Sequence, residues 1–326
     1  MKAVVIGEGF GGRVVAPIYR RLGFDTLVVS PRDDAAVRIA IAADVDLVSV
    51  HSPPFLHLAH VMQAIEHGHA VLCDKPFGRD ATEARAMRDH ARAAGVRNFV
   101  NYEFRRQPSR LKLKGLLTDG AIGALEHISW TFIGDGLRNQ RHRWLFDAAQ
   151  SGGWIGAYGS HAIDTLRWLF EGEIAQCGGV SRIEKAERPG GDGGKVASTA
   201  EDAFTSWFVM DNGCTASFDT AFSAGARVPQ RMILMGSEGS LELLNEVAII
   251  LRRPGQPEET FDFPLPPGDL HDPALIPWLT EVRDALRNGS RLTPSFDDGV
   301  AAAEAMDLLR SNLIPAGRTR SAARAG

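Results

Sequence analysis

A glycine-rich turn near the N-terminus constrains the fold of this chain more than any other feature of its sequence. The segment Gly7-Glu8-Gly9-Phe10-Gly11-Gly12 is a GxGxxG pattern that follows a β-branched run and opens a segment with helical spacing. This order is typical of the first strand, turn and helix of a doubly wound α/β sheet. The pattern therefore predicts a pyrophosphate-binding loop made by Gly7, Gly9, Phe10, Gly11 and Gly12.

The rest of the first hundred residues repeats the same alternation. Short apolar runs, which indicate strands buried on both faces, alternate with helical patterns such as Ala81 to Ala94. Pro17 falls inside the first helical pattern, where it would remove a backbone donor and kink the helix. The predicted strands of this parallel sheet are Ala3 to Ile6, Thr26 to Val29, Leu47 to Val50, Ala70 to Cys73 and Arg97 to Val100.

Beyond Gly123 the pattern changes to strand-like runs separated by Gly, Pro and Asn, which predicts a mostly antiparallel sheet. Asp211-Asn212-Gly213 predicts a hairpin turn, whereas Glu187 to Ser198 reads as a mobile loop and Arg318 to Gly326 as an unpacked tail. The predicted strands are Glu126 to Ile133, Ala203 to Met210, Cys214 to Ala221, Arg231 to Gly236, Leu241 to Leu244 and Val247 to Leu251. We therefore predict a dinucleotide-binding Rossmann domain over residues 1–120 and an α+β domain over residues 121–326.

Composition excludes several classes of protein. The 326 residues carry a formal net charge of −4, so a basic surface for nucleic acid is not expected. No apolar run reaches membrane-spanning length and no signal peptide is evident, so we expect a cytoplasmic protein. Cys73, Cys177 and Cys214 are widely separated and form no CxxC pair, so neither a disulfide framework nor a metal site is predicted.

The end of the second predicted strand bears on which dinucleotide binds. A carboxylate at this position usually binds the adenosine ribose, but the chain has Ser30, followed by Arg32. Ser30 and Arg32 can bind a 2′-phosphate, which favours NADP over NAD. NAD binding through Asp33 or Asp34 stays an alternative.

The third and fourth predicted strands end in residues that we expect at the same ligand-binding edge of the sheet. The third is followed by Ser52, Pro53 and, slightly later, His57. The fourth is followed by Asp74, Lys75 and Pro76. Ser52, Pro53, His57, Asp74 and Lys75 are therefore predicted to contact the cofactor.

These motifs, in this order, resemble the glucose-fructose oxidoreductase, inositol dehydrogenase and rhizopine-catabolism family, Gfo/Idh/MocA. The resemblance covers nearly the whole chain. Asp74-Lys75-Pro76 matches the Glu-Lys-Pro motif of the family, and Gly159-Ser160-His161-Ala162-Ile163-Asp164 matches its Gly-x-His-x-x-Asp motif. Asn101-Tyr102-Glu103-Phe104-Arg105 and Ser151-Gly152-Gly153 also correspond to family segments.

The resemblance implies that hydride moves between NAD(P) and a sugar or polyol carbon bound between the two domains. It assigns Lys75 to the reacting hydroxyl and His161 to the proton of that hydroxyl. A histidine suits this step because its pKa lies near neutrality, and a lysine stabilises a developing alkoxide. The sequence departs from the family at Ala157, where many dehydrogenases carry an Asp.

Four further residues are candidates for substrate binding. Trp144 could stack on the apolar face of a sugar, and Arg105 could bind an acidic group. Tyr158 could supply a hydroxyl, and Asp164 could support His161 because three residues separate them on a helix. The alternatives are a place in the core for Trp144, a solvated strand edge for Arg105 and a helix-packing role for Asp164.

Three functions fit these observations. The first is an NAD(P)-dependent oxidoreductase acting on a sugar, cyclitol or related polyhydroxy compound, and it makes the fullest use of Lys75 and His161. The second is a redox-neutral enzyme that cleaves glycosides with a retained cofactor. The third is a non-catalytic NAD(P)-sensing protein, which Ala157 would favour. The resemblance also implies a homodimer or homotetramer formed through the C-terminal sheet.

Overall fold

The first 118 residues form a five-stranded parallel sheet with its helices. The computed structural model describes residues 1–264 and 268–316. The strands lie in the order β2-β1-β3-β4-β5, which is a doubly wound arrangement. The elements are β1 (Lys2–Ile6), α1 (Ala16–Arg21), β2 (Asp25–Val29), α2 (Asp34–Ala42), β3 (Leu47–Val50), α3 (His57–Glu66), β4 (Ala70–Cys73), α4 (Ala81–Ala94), β5 (Asn98–Val100) and α5 (Pro108–Thr118). All five predicted strands and the helix over Ala81–Ala94 are confirmed.

The second half contains a nine-stranded mixed sheet. Its order is β15-β14-β13-β12-β6-β11-β10-β7-β16, and only the pairs β11–β6 and β16–β7 are parallel. The six predicted strands are confirmed, but β7, β15 and β16 were not predicted. The elements are β6 (Leu125–Ile133), α6 (Ser160–Phe170), β7 (Ile174–Arg182), β8 (Glu187–Pro189), β9 (Lys195–Ala197), β10 (Ala203–Met210), β11 (Thr215–Ala221), β12 (Arg231–Gly236), β13 (Gly239–Leu244), β14 (Ala248–Arg252), β15 (Glu259–Asp262), α7 (Asp272–Asn288), α8 (Phe296–Ser311) and β16 (Leu313–Pro315).

Both faces of the parallel sheet are buried because a helix from the second half covers one of them. Val4 of β1 packs on the face shared with α2, α3 and α4, whereas Val5 packs on the face shared with α1 and α7. Trp278 of α7 is fully buried there. The division of the chain at residue 120 stays a prediction, but α7 packs against the first sheet.

A π-helical turn separates the glycine loop from α1. This turn spans Gly11–Val15, and α1 then starts with Pro17 in its first two positions. A proline is tolerated there because the first backbone donors of a helix have no partner within the helix. Pro17 therefore lies at the start of a helix and not in the interior of one, where the sequence pattern placed it.

The predicted hairpin at Asp211-Asn212-Gly213 joins β10 to β11. Met210 and Cys214 close it, because the Met210 amide donates to the Cys214 carbonyl at 2.8 Å. Only Gly213, with a φ of 86°, has a positive φ in this loop. The loop thus has three residues and needs one glycine at its last position.

The segment predicted as a mobile loop, Glu187 to Ser198, is instead a short hairpin of β8 and β9. Arg188 is fully buried and donates to Asp202 at 3.1 Å and to Ser223 at 2.7 Å. The high charge of the segment suggested a mobile loop, but one of its charged residues, Arg188, is buried and holds the hairpin in place. The predicted tail, Arg318 to Gly326, lies outside the described residues.

Candidate active site

One side of the glycine loop packs against His51, the first residue after β3. Gly7 has a φ of 138°, and a Cβ there would lie 2.5 Å from the carbonyl oxygen of His51. A Cβ on Gly11 would lie 2.8 Å from the Cβ of His51. These two positions need glycine because the His51 carbonyl, directly after β3, approaches Gly7, and the side chains of His51 and Val5 approach Gly11, too closely for a Cβ.

The same loop is open on its other side. A Cβ on Gly9 would meet no atom within 4 Å, whereas one on Gly12 would lie 3.3 Å from Val28 of β2. Gly12 thus lets the helical turn and β2 pack closely, and Gly9 leaves backbone accessible at the start of a helical segment. This geometry fits the pyrophosphate of a dinucleotide, which helix N-termini bind through backbone amides.

The polar residues after β2 differ in whether they already have a partner within the protein. Asp33 caps α2, because its carboxylate accepts the Ala36 amide at 2.9 Å. Arg32 is exposed, and within residues 1–264 and 268–316 it forms no ion pair. Ser30 is half-buried beside it. The alternative in which Asp33 binds the ribose would cost the helix this cap.

Two residues predicted to contact the cofactor serve the protein interior instead. His57 is 1% exposed, and its Nδ1 and Nε2 atoms lie 3.0 Å from the Pro76 carbonyl and 2.8 Å from the Ser52 carbonyl. Ser52 is buried, with its hydroxyl 3.0 Å from Nδ1 of His60. The prediction for the His57 side chain is corrected, because His57 holds the Lys75-Pro76 segment in place. Pro53 is half-buried.

Asp74 organises the strand ends around Lys75. Its carboxylate lies 3.1 Å from Nδ1 of His51 and accepts the Lys75 amide at 2.9 Å. Nε2 of His51 lies 2.8 Å from the Ser49 hydroxyl, which in turn contacts Tyr19. Burial would raise the pKa of Asp74, but His51 and Lys75 outweigh it and lower the pKa to about 2. Asp74 is therefore an anion beneath the cleft.

Lys75 reaches across the cleft to the second half of the chain. Its Nζ donates to the carbonyl oxygen of Ala157 at 2.7 Å. Ala157 lies in a π-helical turn over Ile155–Gly159, directly before α6. The backbone at position 157 thus holds the lysine, although the side chain of Ala157 has no polar group.

His161 lies at the start of α6, within electrostatic range of Lys75. Its ring is 3% exposed and stacks on Phe104, with 4.1 Å between the ring centroids. Burial is the main cause that holds the pKa of His161 well below its ordinary value, and Lys75, Arg110 and His271 add to it. The imidazole is therefore neutral at physiological pH and able to accept a proton. Lys75 and His161 thus lie close enough to interact electrostatically, and their joint role in catalysis stays a prediction.

Glu103 is a site residue that sequence reasoning missed. It begins the helical turn that lies shortly after the end of β5 at Val100, is 2% exposed, and its Oε1 lies 3.9 Å from Nε2 of His161. Burial raises its pKa to about 8, and nearby Asp74 adds to this while Lys75 opposes it. Its place at the carboxyl end of a parallel strand was the available signal.

Arg105 and Asp164, both predicted to face the substrate, bind each other. Arg105 donates to Asp164 at 2.6 and 2.9 Å and to Asp298 at 2.8 Å, and Asp164 is buried. This network occupies both side chains, so neither is free for a substrate. Asp164 also does not orient His161, whose Nδ1 has no partner among the described residues. Both predictions are corrected to a structural role.

The two predicted aromatic contacts differ. Tyr158 is buried, stacks on Trp154 at 5.3 Å, and interacts through its hydroxyl with Arg110. Its hydroxyl is therefore engaged, which corrects the prediction that it serves the substrate. Trp144 is half-buried in a short helical turn, so its role in substrate binding stays a prediction.

Fold and site together define a dinucleotide-binding oxidoreductase. Residues 24–102 match the model described as oxidoreductase family, NAD-binding Rossmann fold. Residues 111–242 match the model described as GFO/IDH/MocA C-terminal domain. The chain belongs to the Gfo/Idh/MocA family of oxidoreductases, which confirms the resemblance and the predicted fold.

Characterised relatives align over most of the chain. Levoglucosan dehydrogenase of Pseudarthrobacter phenanthrenivorans is 25% identical over 326 residues, covering 89% of this chain and 82% of the relative. Inositol 2-dehydrogenase of Acidothermus cellulolyticus is 26% identical, covering 83% of this chain and 74% of the relative. A solved structure of levoglucosan dehydrogenase with NADH and L-sorbose superposes with a TM-score of 0.84 at 22% identity over 96% of each chain.

The part of the chain that the structure describes contains neither a membrane-spanning helix nor a cluster of metal ligands. None of the helices there has both the length and the apolar character of a membrane span. Across residues 1–264 and 268–316, no group of three or more His, Cys, Asp or Glu side chains is placed to hold a metal ion.

Proposed function

We propose that this oxidoreductase transfers hydride between NAD(P) and a hydroxyl-bearing carbon of a sugar, cyclitol or related polyhydroxy compound. The observation that carries the proposal is the contact of Lys75 Nζ with the turn that leads to His161. Together with the electrostatic interaction between Lys75 and His161, this contact supports a site that combines an ammonium with a neutral imidazole near the carboxyl ends of the parallel strands. The relatives named above act on compounds of this class, which supports the same substrate class here.

Lys75 is suited to bind the reacting oxygen. An ammonium has three donors, and one of them is used by the Ala157 carbonyl. The remaining donors are available to a substrate hydroxyl, whose oxygen becomes more negative as its proton leaves. A fixed positive charge in a partly buried pocket stabilises that developing charge.

His161 is suited to take the proton. Its lowered pKa keeps the ring neutral, so an acceptor nitrogen is available, but the same shift makes the imidazole a weaker base that needs a neighbouring group to stabilise the added proton. Stacking on Phe104 fixes the plane of the ring. A bound dinucleotide, held at Gly9 and the helical turn that follows, would supply the hydride acceptor or donor.

The cofactor preference, location and assembly belong to the same proposal. An unpaired Arg32 beside Ser30, together with an Asp33 already used as a helix cap, supports NADP over NAD. We further propose a cytoplasmic enzyme that forms a homodimer or homotetramer through the nine-stranded sheet. Trp144 is proposed to stack on the substrate.

The test combines cofactor binding with a substrate panel. Binding of NADP, NADPH, NAD and NADH is measured by fluorescence, and sugars and polyols are screened for a change in reduced-nicotinamide absorbance. Lys75→Ala and His161→Ala are each expected to lower turnover by about 100-fold or more, with dinucleotide affinity nearly unchanged. Lys114→Ala is the matched control, because Lys114 pairs with the exposed Glu171.

Three outcomes would contradict the proposal. Dinucleotide binding without turnover on any substrate would indicate a sensing protein. A retained cofactor with product formed but no net absorbance change would indicate redox-neutral chemistry. Unchanged turnover in both variants would remove Lys75 and His161 from the reaction.

A further inference from the structure

Two buried polar groups beside the reactive centre lack hydrogen-bond partners. Within the described part of the chain, Oε2 of Glu103 and Nδ1 of His161 are buried and make no hydrogen bond. Their side chains are 2% and 3% exposed, and the closest approach between them is 3.9 Å, from Oε1 to Nε2. Each unsatisfied group costs about 1 to 3 kcal/mol, so retaining both needs an explanation other than stability.

The groups around this pair are mostly cationic. Lys75, Asp74 and Arg110 face Glu103, while Lys75, Arg110 and His271 face His161. An imidazole in such surroundings resists gaining a second proton, because the imidazolium would be a further cation in a buried site. A neighbouring carboxylate relieves this difficulty, since it neutralises the added charge.

The usual position for a carboxylate in this family does not provide one. Ala157 contributes only a backbone carbonyl, and Lys75 occupies it. Asp164 is bound to Arg105 and also does not contact the imidazole. Glu103 is the carboxyl group within ion-pair distance of His161 among the described residues.

We propose that Glu103 is a positioning residue that shares with His161 the proton released from the substrate hydroxyl. The inference rests on the proposed function. During oxidation the hydrogen on carbon would leave with the C–H electron pair as hydride to a bound dinucleotide, and the O–H electron pair would form the second bond of the carbonyl. The proton goes to the His161 and Glu103 pair, held between Nε2 and Oε1. A shift of about 1 Å brings the two atoms into hydrogen-bond distance.

The charge state of the pair gives the reaction a direction that depends on pH. Because the pKa of Glu103 is about 8, the Glu103 carboxyl group is protonated at neutral pH. The pair can then donate a proton during carbonyl reduction. Above that pH the pair is empty and able to accept a proton in oxidation. We expect kcat/KM for oxidation to rise, and kcat/KM for reduction to fall, through a pH of about 8.

The test compares pH profiles of the full-length enzyme and two variants at Glu103. Glu103→Gln is expected to lower kcat for oxidation at least about tenfold, with KM within about twofold, and to abolish the inflection. Glu103→Asp should recover the inflection with part of the rate. Glu242→Gln is the matched control, because Glu242 is a buried carboxyl paired with Arg231 and Arg252 in the nine-stranded sheet. An unchanged profile in Glu103→Gln would overturn the inference.

A second readout needs neither substrate nor cofactor. The infrared carbonyl stretch of a protonated carboxylic acid should be present at neutral pH, vanish with a midpoint near 8, and be absent from Glu103→Gln. A spectrum that is the same in wild type and Glu103→Gln would overturn the inference. If wild type oxidises nothing on the panel, the proposed function fails, and the infrared titration still decides the state of Glu103.

Discussion

Two buried charge clusters lie on either side of one short helical turn, Glu103–Arg106, and they are built in opposite ways. Arg105 has its guanidinium paired with two carboxylates, Asp164 and Asp298. Glu103, two residues earlier, is equally buried but leaves one carboxyl oxygen unpaired. The same turn therefore carries a satisfied cluster and an unsatisfied one.

The difference separates stability from function. A buried charge with complete hydrogen bonds ties distant segments together, and removing one partner leaves an uncompensated charge. A buried acid without complete partners costs stability, and its raised pKa makes it able to exchange a proton near neutral pH. We therefore assign the Arg105 cluster to the assembly of the two halves and the Glu103 cluster to the reaction.

The largest expected effect comes from breaking the satisfied cluster. Arg105→Ala leaves Asp164 and Asp298 without their shared cation, and should lower the free energy of unfolding by about 3 to 5 kcal/mol in denaturant titration. Arg105→Lys, which keeps the charge but loses the paired donors, should cost less and keeps the comparison measurable if the alanine variant does not fold.

The neighbouring arginine provides the control for this prediction. Arg106 pairs with Glu281, whose side chain is 39% exposed. Arg106→Ala should therefore cost about 1 kcal/mol, because partly exposed ion pairs contribute little. If Arg105→Ala and Arg106→Ala lower the free energy of unfolding equally, the buried network stabilises the protein no more than a partly exposed ion pair does.

An effect of opposite sign is expected from the unsatisfied cluster. The pKa of Glu103 is about 8 in the folded protein against an ordinary 4.5. A raised acid pKa makes the folded state lose stability as pH increases between these two values, since the unfolded chain releases its proton first. Glu103→Gln should thus gain about 1 to 4 kcal/mol over wild type at pH 8, and nothing at pH values below about 4.

This stability profile is measured by denaturant unfolding of both proteins across the pH range. A gain that is independent of pH would mean that the amide packs better than the acid for reasons unrelated to ionisation. If Glu103→Gln is less stable than wild type at pH 8, the Glu103 carboxylate stabilises the fold as Arg105 does, and the contrast between the two clusters is wrong.

The smallest expected effect concerns the end of β2. Asp33 there caps α2, whereas Arg32 has no ion-pair partner among the described residues. Arg32→Ala should weaken NADP binding about tenfold, and leave NAD binding nearly unchanged, because only NADP has the 2′-phosphate. Arg38→Ala, at an exposed position of α2, is the control for a general loss of positive charge. Equal weakening of both dinucleotides would mean that the 2′-phosphate is bound elsewhere.

Much of the fold follows from local patterns. The strands of the parallel sheet are apolar on both faces, so their positions are visible in the sequence, and Leu47–Val50 and Ala70–Cys73 agree at both ends. The strand β7 escapes this reasoning because Gly178 and Gly179 lie in its middle, where glycine usually argues against a strand. The hairpin around Arg188 escapes because its anchors, Asp202 and Ser223, are distant along the chain.

The candidate site was predictable only in part. Lys75, His161 and the glycine loop are found by motif, since their spacing along the chain is itself the signal. The environment of each side chain is not encoded in spacing. Arg105 meets Asp164 across 59 residues and Asp298 across 193, and no short pattern announces either contact.

By itself, the sequence determined the family, the parallel sheet, the dinucleotide loop and the two residues expected to act on the substrate. These features depend on neighbouring residues and their periodicity. Only the tertiary structure decided which charges are neutralised, which helix covers the second face of the first sheet, and that Glu103 lies beside His161. The physical reason is that most burial and pairing arise between segments far apart in the chain, and these contacts shift the pKa of a side chain from its ordinary value.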